Sequence, residues 1–228
     1  MSLFLLAVAA VTALLGVGAV FGARCRIDHL RSTGETFAHH ALSRSHAVLS
    51  CVVALVVAAN VVVARNIGLS FALVGFGVAI TGCAYLALID IDTHLLPWSD
   101  SIALGVASCL FLMVDAVVRS HVELMVVMVA SGVSAWIVFR IIEWLSRGDL
   151  GGGDVVLASV LGVILGWFGG AAVLQAMVYS IVCAGVFALG AMLFSGFRAR
   201  TAFAFGPFLI LGAVLVMITT DPLLVATY

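Results

Sequence analysis

The chain has no lysine at all: its ten basic residues are all arginine. Chemistry that depends on a lysine amine is thereby excluded. Charge of either sign is scarce, at 9% of 228 residues against 64% hydrophobic, and mean hydropathy is +1.31. An ordinary soluble domain is about one-quarter charged, so a water-soluble fold is excluded as well. The alternating apolar–polar pattern of a membrane barrel is also missing, which leaves helices as the only spanning structure. The five cysteines (Cys25, Cys51, Cys83, Cys109 and Cys183) form no CxxC pair, and four lie inside apolar runs. They read as small hydrophobes rather than as redox centres or ligands. No basic residue precedes the first apolar run, LFLLAVAAVTALLGVGAVFG, which is longer than the apolar core of a secretory signal. A retained first helix is expected. The net charge of −1 identifies no partner, and nothing suggests nucleic acid.

What the chain has instead is apolar segments of membrane length, about 20 residues each. Eight spans are expected, roughly 3–22, 47–64, 68–90, 101–118, 122–146, 155–168, 170–194 and 202–220. This predicts an all-α polytopic bundle, a single membrane-embedded domain over 1–228. The sixth span ends at WFGG, which suggests a tight hairpin with the seventh. Arg140 and Glu143, three residues apart, are placed to pair on one helix face. With the amino terminus outside, the inner loops hold Arg24, Arg26, Arg31, Arg44, Arg147, Arg198 and Arg200, and the outer loops only Arg65 and Arg119. Arginine accumulates on the cytoplasmic side, so segments 91–100 and 147–154 both face the cytoplasm. The polar stretch 23–46 then reads as a short, solvated, partly helical cytoplasmic loop. It carries His29, His39, His40 and His46, but its single cysteine and its lack of repeated ligand spacing argue against a metal.

Two aspartates stand out. Asp90 closes the run GLSFALVGFGVAITGCAYLALID, and Asp154 ends GGGD before VVLASVLGVILGW. A carboxylate at the edge of hydrocarbon is costly and usually has a task. The glycines before Asp154 allow positive φ and close approach to another segment, and the dipole of the helix that follows favours an anion. Asp90 sits at the opposite kind of helix end, where an anion is disfavoured. Brought together, the two would share a proton and titrate as a unit, the state that acid–base hydrolysis of a peptide requires. Either residue alone is more simply a helix cap or an interfacial anchor. The functional case rests on the pair.

Three patches resemble the bacterial type IV prepilin peptidases. DIDTHLLP, from Asp90 to Pro97, is similar to that family's first signature. GGGDVVLASVLGVILGW, from Gly151 to Trp167, is similar to its GxGD signature, and FGPFL, from Phe205 to Leu209, to a patch in its last helix. The resemblance implies an aspartyl endopeptidase of the bacterial cytoplasmic membrane. Such an enzyme cuts basic leaders from pilin-like precursors at the cytoplasmic face and needs no cofactor or metal. By position, Asp90 and Asp154 are the catalytic pair, and Gly151 and Gly153 are the motif glycines. The chain departs from the family where Trp98 follows the proline and Val156 replaces a lysine. Loop 23–46, with Cys25 alone, stands where larger members carry a methyltransferase insert, so methylation is expected to be missing.

Among the other acids, Asp149 in RGDLGGGD is a candidate contact for a basic leader. Asp92 should point away from Asp90 and be solvated. Asp100 and Asp115 read as residues of an interfacial turn and of the outer end of span four, and Glu123 as a residue of the water boundary. The alternative function is a small ion- or proton-coupled transporter using the same carboxylates. Two features oppose it: no two-fold internal repeat, and both acids on one side rather than at the midplane. A purely structural subunit would leave the GGGD run unexplained.

Overall fold

In a computed structural model, residues 3–33, 45–146, 150–195 and 204–220 are described, apart from the side chains at 191, 194 and 195. They form eight α-helices and no strand. In chain order these are α1 (Leu3–Ser32), α2 (His46–Ile67), α3 (Phe71–Thr93), α4 (Trp98–Val118), α5 (Glu123–Leu145), α6 (Gly152–Leu165), α7 (Gly170–Ser195) and α8 (Gly206–Thr219). A 3-10 turn, Gly166–Phe168, follows α6. Six of the helices are long and apolar enough to cross a membrane, and α6 and α8 are shorter. Leu6, Leu14 and Phe21 of α1, Val126 and Trp144 of α5, and Leu174, Ile181 and Leu193 of α7 face outward. An apolar exterior of this extent suits lipid as solvent, and the chain is a multi-pass membrane protein.

Helix α1 departs from the expected span. It does not stop at residue 22 but runs to Ser32, taking in part of the stretch read as a loop. The reason is a continuous buried stripe: Thr12, Gly16, Val20, Ala23, Ile27 and Leu30 recur every three or four residues. Ile27 and Leu30 pack with Leu49 of α2 and with Leu88 and Ile89 of α3. His39, His40 and Arg44 lie outside the described residues.

Helix α3 lies at the centre, against α1, α2, α4 and α8. Its glycines let α4 approach closely. A β-carbon on Gly75 would lie 2.9 Å from Leu112 Cγ, and one on Gly82 would collide with the Leu104 side chain. The same device seats α6 between α4 and α5. A β-carbon on Gly162 would meet Ala135 Cβ at 2.9 Å and the Ser131 carbonyl at 3.0 Å, and one on Gly132 would collide with Val163. With little hydrophobic drive between helices in lipid, such small-residue contacts carry the packing.

Helices α6 and α8 have 14 residues each. At 1.5 Å per residue that is about 21 Å, short of a hydrocarbon core of about 30 Å. The bilayer must thin, or water must enter, at one end of each. Both helices begin at the same place, beside the last turn of α3.

Candidate active site

Asp90 lies in the last turn of α3. That helix ends because His94 adopts the left-handed conformation (φ 50°) and its N–H donates to the Asp90 carbonyl at 2.8 Å. The Thr93 hydroxyl donates to the Ile89 carbonyl at 2.7 Å, which tightens the same turn. The chain then crosses through residues 94–97 to Pro97, and α4 begins at Trp98. Asp154 lies in the first turn of α6, whose N-terminus is Gly151.

Gly206, the first residue of α8, joins the two. A β-carbon there would lie 2.5 Å from Asp90 Oδ2 and 3.4 Å from Asp154 Oδ1. Both carboxylates therefore converge on one point, although 64 residues of sequence separate them. Asp90 is buried, Asp154 half-buried, and Asp90 Oδ2 is shielded from solvent with no hydrogen-bond partner among the described residues. The backbone amide of Gly206 approaches the Asp90 carboxylate, and that of Gly151 approaches Asp154. Two helix N-termini, of α6 and α8, thus aim at the pair, where they favour negative charge. Asp90 closes α3 at its carbonyl end, as expected, and meets the start of α8 as well.

Of the two uses expected of the glycine run, positive φ and close approach to another segment, the structure shows the second. Gly151 has φ −69°, and among the described residues only Gly68 and Gly169 are glycines with positive φ. What Gly153 provides is space. A β-carbon on it would collide with the Leu96 carbonyl and sit 2.9 Å from Leu96 Cβ. The α3–α4 turn therefore rests directly on the first turn of α6, and the turn that follows Asp90 is keyed to the helix that carries Asp154.

Asp92 points away from Asp90, but it is not solvated. It is fully buried and faces Arg31 of α1, with 3.8 Å between Oδ2 and the guanidinium. The extension of α1 that sequence reasoning took for loop supplies that arginine. Asp100, in the first turn of α4, accepts from the Tyr85 hydroxyl at 2.9 Å and pairs with Arg26 Nε at 3.2 Å. Asp115 is buried near the other end of α4 and pairs with Arg119 at 2.8 Å. Glu123 is exposed at the start of α5 and pairs with His121 at 3.0 Å. Arg140 and Glu143 form the expected ion pair. Asp149 lies outside the described residues. Among those residues, no three His, Cys, Asp or Glu side chains are grouped to hold a metal ion.

Gly206 is the site residue that sequence reasoning did not single out. Its signal lay in the FGPFL patch, where it precedes a proline at the start of an apolar helix.

Residues 77–189, which include both aspartates, match the model of the type IV leader peptidase family. The chain belongs to that family. It is a peptidase, and the transporter alternative gains nothing from the match. Neither a curated protein nor a solved structure gives a significant match. The matched residues start within α3 and end within α7, so α1, α2 and all of α8, Gly206 included, fall outside them.

Proposed function

We propose that the chain is an aspartyl endopeptidase of the bacterial cytoplasmic membrane. It removes the basic leader of type IV prepilin-like precursors at the cytoplasmic face. The observation that carries this reading is the convergence of Asp90 and Asp154 on one point beside Gly206. Two carboxyl groups this close, partly withdrawn from water, hold one proton between them. Asp154, at a helix N-terminus, takes a proton from water as general base. Protonated Asp90 donates a hydrogen bond to the scissile carbonyl. Water oxygen adds to the carbonyl carbon, the C–N bond breaks, and the proton passes to the departing amine. No metal or cofactor takes part.

Gly151 and Gly153 are the motif glycines, and Gly153 keeps the α3–α4 turn against α6. Asp149 supplies a negative charge for the leader on the adjoining loop. The cytoplasmic assignment rests on the arginine asymmetry between the segments expected on the two sides, seven residues against two.

The test is processing of a membrane-inserted precursor made of a basic leader joined to an apolar helix, presented from each side. The reading expects cleavage only when the leader is cytoplasmic, with the product's new amino terminus at the leader boundary by mass. Cleavage inside the mature helix, or only from the other side, would overturn it.

A further inference from the structure

Two acids that follow Asp90, Asp92 and Asp100, pair with arginines from a helix outside the family match. Arg26 of α1 meets Asp100 twice, Nε to Oδ2 at 3.2 Å and Nη2 to Oδ1 at 3.4 Å. The Tyr85 hydroxyl donates to the same Asp100 Oδ2 at 2.9 Å. Five residues further along α1, Arg31 faces buried Asp92 at 3.8 Å. Asp92 and Asp100 bracket the 94–97 turn, and Leu96 in that turn rests on Gly153, next to Asp154. Tyr85 also packs where Gly22 leaves room on α1, with its ring 3.7 Å from the position a β-carbon would take. Three helices, α1, α3 and α4, therefore meet at two partly buried ion pairs and the Tyr85–Asp100 hydrogen bond, around the turn that follows Asp90. The Tyr85 hydroxyl bond to the Asp100 carboxylate is charge-assisted, and a charge-assisted bond is about twice as strong as a neutral one.

We propose that α1 is a brace for the catalytic pair, and that Arg26 and Arg31 are positioning residues of the peptidase. Without them the 94–97 turn lifts from Gly153, and Asp90 loses its register against Asp154. A displacement of about 1 Å can slow an enzyme on the order of 100-fold. The brace rests on the aspartyl reading above for its effect on rate, but not for its effect on structure.

Hydrogen–deuterium exchange of the purified protein in lipid discs, read beside precursor cleavage, tests it. In Arg26→Ala, exchange should rise at least about tenfold in residues 90–100 and 151–155, with α5 and α7 unchanged. Cleavage per folded molecule should fall about 10- to 100-fold. Arg26→Lys keeps the charge but not the planar guanidinium fork and should recover most of the rate. Tyr85→Phe, which retains the ion pair, should slow cleavage a few-fold and covers the case in which Arg26→Ala does not accumulate. Unchanged exchange in 90–100, a uniform rise throughout the bundle, or a wild-type rate in Tyr85→Phe would overturn the brace. An active Asp154→Asn protein with the local exchange pattern intact would instead overturn the aspartyl reading alone.

Discussion

Gly206 matters for the atom it lacks. Any side chain there would enter the space the two carboxyl groups share, 2.5 Å from Asp90 Oδ2. Gly206→Ala should therefore reduce precursor cleavage more than about tenfold while the protein still inserts and accumulates, since one misplaced catalytic group is enough. Gel-shift processing normalised to the amount of folded protein checks it, and near wild-type cleavage would show that the gap is unimportant. Asp149→Ala should act differently. An exposed ion pair is worth about 0.2–1 kcal/mol, so the loss should be no more than several-fold and should shrink once the leader's basic residues are neutralised. Equal loss with both leaders would mean that Asp149 does not meet that charge. At this scale the sequence was legible where one residue type announces itself, as with aspartates closing or opening apolar runs. It was not legible where meaning depends on what another helix brings. Asp92 reads as solvated until Arg31 is known to face it, and Gly206 gains its role only from acids 116 and 52 residues away.

Helix boundaries followed the apolar runs to within a few residues, except at α1. There, charges at Arg24, Arg26 and Arg31 suggested a loop, although the spacing of Val20, Ala23, Ile27 and Leu30 continued the helix. Periodicity was the better guide, because arginine stems pack against apolar surface while the head finds a partner. Close contacts at glycines were legible only in the run before Asp154, since the rest of the 23 glycines look alike in sequence. They separate sharply in the fold. Gly162→Val should force α5 and α6 apart and destabilise the protein by about 1–3 kcal/mol. Gly185→Ala, with nothing within 4 Å of its β-carbon, should be close to neutral. Thermal unfolding in detergent compares the two, and equal stability would mean that the α5–α6 contact is not tight.

For the whole molecule, the ion pairs around Asp92 and Asp100 put one end of α1 with the α3–α4 turn and the starts of α6 and α8. The α4–α5 connection, with Arg119 and His121, belongs to the other end. Arginine placement predicts that the first end faces the cytoplasm. With the native cysteines replaced by alanine, Ser99→Cys should react with an impermeant maleimide only from the cytoplasmic side, and Ser120→Cys only from outside. The reverse pattern would invert the orientation. Sidedness is read from the sequence as a sum over loops, which tolerates errors at single residues, and the labelling decides it. The convergence of three helix ends was not legible, because topology alone does not say which ends touch.

The central claim is that Asp90 and Asp154 act as one catalytic unit. Its most direct measurement is the cleavage rate of a pilin-like precursor by purified wild-type, Asp90→Asn, Asp154→Asn and doubly substituted proteins, each shown to be folded. Groups that act as a unit are strongly non-additive. Each single substitution should lower the rate by on the order of 1,000-fold or more, and the double substitution should lower it no further. A single variant within tenfold of wild type, or a double variant slowed by the product of the two single losses, would contradict the account.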